Sequence, residues 1–181
     1  MPDDVVVLHC APTLAGLKTA NMFMYQFADR QSLRCEICRL NRILGKKGLR
    51  VIPLKICSGK ALIYIFRPDR LRRDLESAEA QKVLNECGYN CKSIGGRLSH
   101  LRERLGENGE FPHEIGLFLG YPPEDVCGFI QHRPCLLTGF WKVYSDTDGA
   151  EKKFRQFRKC MKVYSSRIAA GCPLEKLAVS I

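Results

Sequence analysis

LRVIPLKICSGKALIYIFR, residues 49–67, decides the fold class. Two runs rich in β-branched and aromatic residues, 49–57 and 61–67, flank Ser58-Gly59-Lys60, and such a spacing predicts a β-hairpin. Pro53 has no amide hydrogen to give to a ladder, which puts the first strand at a sheet edge or a bulge. Upstream, Leu33, Ile37, Leu40 and Leu44 fall on one face of a helix over about 31–44, ended by Gly45 and Gly48. Further upstream VVVLH, 5–9, reads as a short buried strand, and Thr13 as the N-cap of a helix over about 14–27.

Downstream, Pro68 and Asp69 open a helix that breaks near Ser77 and ends at Gly88. Ser93 caps a helix carrying Ile94, Leu98, Leu101 and Leu105, with Gly106 beyond its end. A polar connector, 107–112, precedes two short helices, about 113–121 and 123–131. Residues 136–145 predict a strand. Ala150, Phe154, Phe157, Met161, Tyr164 and Ile168 form one stripe of a helix from about 147 to 169, and 174–181 predicts a last short strand. There is no internal repeat and no regular βαβ alternation. The expectation is an α+β fold in a single domain, 1–181, with a small mixed or antiparallel sheet of about five strands covered by helices.

The 181 residues are 45% hydrophobic, which is globular composition and suffices for a core. The start, MPDD, carries acid where a secretory leader carries lysine or arginine, and no apolar run approaches the ~20 residues of a membrane helix. The expected location is therefore the cytoplasm, with no membrane partner. There the ten cysteines are free thiols, metal ligands or nucleophiles rather than disulfides, and Cys57 and Cys127 read as small core residues. A formal charge of +10 favours anionic partners.

Four places carry possible chemistry. FPHEIGLFLGYPPEDVCGFI, 111–130, places Glu114, Glu124 and Asp125 in the first turns of two helices, where the dipole favours acid. His113 is not explained that way, since a helix N-terminus favours neutral imidazole, the form a base or ligand needs. HCAPTLAGLKTAN, 9–21, reads as a strand–turn–helix junction, whose free amides hold anions and lower the pKa of a thiol. There Cys10 beside His9 is a candidate reactive thiol, with Thr13, Lys18 and Asn21 as an anion pocket; the alternative is a buried cysteine beside an ordinary cap. Cys35-x-x-Cys38 lies on a predicted helix, away from the strand-to-helix context of a redox motif, and Cys87 and Cys91 flank a helix end. Four sulfurs from these pairs would ligate zinc or a cluster, although their spacings match no zinc module, and no residue is assigned as a metal ligand. Finally, Lys152, Lys153, Arg155 and Arg158 form a basic helix face without an accompanying nucleic-acid motif.

HCAPTLAGLKTANMF (9–23), LIYIFRPDRL (62–71), FPHEIGLFLGYPPEDVCGFI (111–130) and TGFWKVYSDTDGAEKKFRQFRKC (138–160) together resemble a full-length family of bacterial proteins, mostly from anaerobic Gram-positive species, classed as a domain of unknown function. HEIGLFLGYP and WKVY are its most specific blocks. The resemblance implies one full-length domain and a cytoplasm of low oxidation, in which ten thiols need no special role. It implies no activity, cofactor or catalytic residue.

Three functions follow as expectations. The first is a small-molecule enzyme or binding protein with its site where 9–21 meets 111–125. Cys10 is then nucleophile or ligand, His113 base or co-ligand, and Glu114 orients the histidine, with His9, Thr13, Lys18, Asn21 and Tyr121 around an anionic ligand. The second is binding of nucleic acid or an acidic partner through the basic helix. The third is a thiol-ligated metal or iron–sulfur protein. Neither cofactor nor oligomeric state is legible.

Overall fold

A computed structural model describes residues 1–106 and 111–180; of the polar connector, 107–110 lie outside the described residues. The chain order is α1 (Asp3–Leu14), β1 (Ala20–Gln26), α2 (Arg30–Gly45), β2 (Arg50–Cys57), β3 (Lys60–Phe66), α3 (Pro68–Glu76), α4 (Ala78–Glu86), α5 (Ile94–Gly106), α6 (Ile115–Phe118), α7 (Pro123–Ile130), β4 (Leu137–Thr138), β5 (Lys142–Val143), α8 (Thr147–Ala169) and α9 (Leu174–Leu177). The fold is α+β. It divides into two compact units, Met1–Asp69 with Phe157–Ile181, and Arg70–Gln156.

The first unit is built on the expected hairpin. Cys57 pairs with Lys60, leaving Ser58 and Gly59 as a two-residue loop, both with positive φ (47° and 74°). That is the turn whose twist matches antiparallel strands. β3 is central in an antiparallel sheet ordered β1-β3-β2. The Pro53 expectation is met twice over: β2 is an edge strand, and its register shifts between Pro53 and Lys55. Asn41 of α2 further occupies that edge, donating to Val51 O (2.8 Å) and accepting from Val51 N (2.9 Å). Phe23, Val51, Ile63 and Ile65 of the sheet pack with Leu40 of α2 and Leu174 of α9.

The N-terminal quarter is corrected. Residues 5–9 are not a strand but part of α1, and residues 20–26 are not helix but β1. A β-branched run disfavours helix by only tenths of a kcal/mol per residue, which burial of Val6, Val7, Cys10, Ala11 and Leu14 outweighs. Asp3 and Asp4 sit in the favourable first turn of α1. In β1, Phe23 and Tyr25 alternate toward the core while Met24 is exposed, the period of a strand.

One side chain fastens this unit. Arg67 is only 2% exposed. Its Nε donates to Thr13 O (2.9 Å), Nη2 to Leu14 O (2.9 Å) and Val179 O (2.7 Å), and Nη1 to Lys47 O (3.2 Å). The last carbonyls of α1 thus meet a guanidinium, the charge that a helix C-terminus favours.

In the second unit α3 and α4 break at Ser77, as expected, whose hydroxyl accepts from Ala80 N (3.2 Å). Buried Arg97 on α5 donates to Cys91 O (3.0 Å) and Leu75 O (3.0 Å), closing the loop between α4 and α5. The expected 136–145 strand is instead a small hairpin of two two-residue strands, and the expected 174–181 strand contains the short helix α9. α8 runs as its stripe predicts, with Ala150, Phe154 and Phe157 buried.

Candidate functional site

The 9–21 stretch presents the opposite end of a helix from the one expected. It is the C-terminus of α1, where carbonyls rather than amides point outward. Pro12 O accepts from Leu17 N (2.8 Å) and Lys18 N (3.1 Å), and Arg67 takes the next two. Such an end holds cations. Cys10 is wholly buried, and burial pushes its thiol well above the ordinary thiol range, the reverse of an activated nucleophile. Thr13 Oγ1 donates to Asn21 Oδ1 (2.7 Å), tying α1 to β1, while exposed His9 stacks on Phe23 (4.7 Å). These residues account for one another as packing.

Lys18 is buried nearby, and desolvation lowers its pKa to about 8. Its effect on stability has a definite sign. Between that pH and the ordinary lysine value the unfolded chain holds more proton, so stability rises with pH. Cys10 opposes this from about pH 9 upward, where the unfolded thiol ionises and the folded one does not. The expected net gain is about 1 kcal/mol between about pH 7.5 and about pH 9. Lys18→Met should lose stability over the same interval; urea midpoints at the two pH values check it.

The 111–130 stretch builds a cavity inside the second unit. Gly120 (φ 74°) closes α6, and Pro122 and Pro123 start α7. These tight turns fold the segment around a space of about 370 Å³, whose apolar lining includes Phe111, Ile115, Val126 and Phe129. Gly116 lies here because a Cβ would fall 2.8 Å from Val126 Cγ2 and 3.2 Å from Tyr121 Cδ2. The remaining wall is Trp141, the chain's only tryptophan, stacked on Tyr121 (5.2 Å between centroids) and edge-on to Phe154 (4.5 Å).

Asp125 holds that wall. One carboxylate oxygen accepts from Trp141 Nε1 (2.7 Å); the other accepts from Tyr144 N (2.7 Å), Ser145 N (3.2 Å) and Ser145 Oγ (3.1 Å). Glu124 and Asp125 both lie in the first turn of α7, as expected; Glu124 is exposed, whereas Asp125 is 3% exposed and has these partners besides.

Besides the Trp141 indole, two nitrogen-bearing side chains border the cavity, His113 and Lys142. The His113 ring meets Phe129 edge-on (4.9 Å), and Lys142 Nζ lies 5.1 Å from the centroid of the same ring. Among the described residues no hydrogen bond or ion pair engages either group.

Glu114 does not orient His113. It is 1% exposed and accepts from Tyr89 Oη (3.0 Å) and pairs with Arg104 Nε (2.6 Å). Burial and this carboxylate push the Tyr89 phenol up, keeping it a donor. Glu114 therefore ties the 111–121 segment to α5 and to the loop before it.

Of the expected site residues, His113 and Tyr121 line one cavity. Cys10, His9, Thr13, Lys18 and Asn21 belong to the first unit and Glu114 to a neighbouring ion pair. Asp125, Phe129, Trp141 and Lys142 were missed as site residues. For Trp141 and Lys142 a signal existed, the lone tryptophan beside a lysine in WKVYS; for Asp125 and Phe129 there was none.

Lys152, Lys153, Arg155 and Arg158 are exposed on α8, with Arg155 near Glu151 (3.4 Å). All ten cysteines are free; Cys57, at the hairpin turn, is exposed rather than core, and Cys127 is half-buried. Among the described residues no group of three or more His, Cys, Asp or Glu is placed to hold a metal ion, and no helix is long and apolar enough to cross a membrane.

Residues 6–178 match a family model described as a protein of unknown function. No curated protein and no solved structure matches the chain.

Proposed function

The chain belongs to the DUF3793 family of proteins of unknown function, and from the geometry of its second unit we propose that it binds a small, largely apolar molecule in the cavity beside Trp141. The observation carrying this is the cavity itself: a preformed space with Tyr121, Phe129 and Trp141 around it and a buried carboxylate bracing one wall. Ligand sites have this character, apolar walls with a few placed polar groups, and about 370 Å³ is near the small end of their range. His113 is the side chain best placed to exchange a proton with a bound molecule. Cys10 has no part in this reading, because its thiol is sealed in the core. Ten free thiols, five of them on exposed residues, support a reducing compartment and hence the cytoplasm.

Trp141 reports on occupancy. Titration with benzyl alcohol should change its emission saturably, with a Kd of about a millimolar or tighter. Val126→Phe fills the space and should abolish the response while circular dichroism stays unchanged. A response that rises linearly, or that survives the filled cavity in a folded variant, would overturn the proposal.

A further inference from the structure

Resting on that reading, we infer that the ligand is a small aromatic carboxylate, its ring against Trp141 and Tyr121 and its carboxylate toward His113 and Lys142. Polarity around the cavity is one-sided. Asp125 is the only acid that lines it among the described residues, and four donors already occupy its oxygens. That charge is held by the wall and is not offered to a ligand. Apart from the Tyr121 phenol, which donates to Phe140 O, the remaining ionisable groups are an imidazole and an ammonium, and both approach the same ring, Phe129. Neither has a hydrogen-bond or ion-pair partner among the described residues. An anion entering here gains partners without breaking any hydrogen bond or ion pair of these two groups among the described residues.

A quaternary or primary ammonium is the competing occupant, since cations favour cages of Trp, Tyr and Phe. Lys142 argues against it: the face of Phe129 already carries a positive charge, and a second cation would be repelled. A neutral aromatic would fill the same volume but would leave the two nitrogen groups unused. The cavity volume suits one ring with a short acid arm better than a dinucleotide. The formal charge of +10 also favours approach of anions.

Three probes of one shape separate these cases: phenylacetate, phenylacetamide and 2-phenylethylammonium, each titrated against Trp141 emission of the full-length protein. Phenylacetate should bind about tenfold tighter than the amide, with the ammonium weakest, and the preference should shrink as salt is raised. In Lys142→Gln, at an exposed position and with circular dichroism checked for an unchanged fold, the acid-to-amide ratio should collapse toward one. Equal binding of acid and amide would overturn the carboxylate inference and leave the pocket reading standing. Tightest binding of the ammonium would do the same. Failure of all three probes to bind would overturn both.

Discussion

Arg67→Met should destabilise the protein by about 4 kcal/mol, the largest effect of any single substitution considered for the first unit. The wild-type guanidinium bonds four carbonyls that come from α1, the loop before β2 and residue 179. Bonds to a charged donor are worth about 1.5–3 kcal/mol each, offset in part by relief of the buried charge. Two acceptors keep other donors, Thr13 O from Gly16 N and Leu14 O from Val179 N, so the loss is less than the sum of four bonds. Arg67→Lys keeps the charge, but its three N–H donors radiate from one nitrogen and do not span the carbonyls that Nε, Nη1 and Nη2 meet separately, so it should recover less than half of the loss. Urea unfolding with an unchanged m-value and a lowered midpoint is the expected signature. A midpoint within experimental error of wild type would show that the carbonyls find other donors.

The second large effect falls on binding. Asp125→Asn preserves size but turns an acceptor into a group that is half donor, facing Trp141 Nε1–H, two backbone amides and a hydroxyl. At least one donor then meets a donor, and the 141–145 segment must shift. Affinity for the aromatic probes should fall by about thirtyfold or more, because a wall displaced by an ångström no longer presents the cavity. Trp141 emission should move to the red in the unliganded variant as the indole loses its partner and gains water. Unchanged emission and affinity together would mean that Asp125 is dispensable to the wall.

What could be read beforehand followed from local rules. The hairpin was legible because turn chemistry and strand composition agree over 49–67. α2 and α8 were legible because their stripes hold the helical period over several turns. Residues 1–26 were misread for a matching reason: Val5, Val6 and Val7 favour strand locally and Thr13 can cap a following helix, so local preference and the fold's demands point opposite ways. Tertiary burial decided it. That one exchange reversed the chemistry of 9–21, since a helix C-terminus offers carbonyls where an N-terminus offers amides. His113 stood out because, unlike the acids around it, it is not explained by a place in the first turn of a helix. Asp125 did not, because its partners lie 16–20 residues onward at Trp141, Tyr144 and Ser145, and no period links acceptor to donors at that distance.

The discontinuity of the first unit has a consequence in the cell. Arg67 and Val179, which it joins, lie 112 residues apart. At ordinary translation speeds the ribosome needs about ten seconds to make that interval. During that time the nascent sheet lacks Leu174 and Leu177, and the end of α1 waits for the amide of Val179. Arg70–Gln156 is one uninterrupted stretch and is complete before then. Assembly therefore runs from the middle outward, and a message truncated before codon 174 yields a chain with open apolar surface, a natural target for chaperones and proteases.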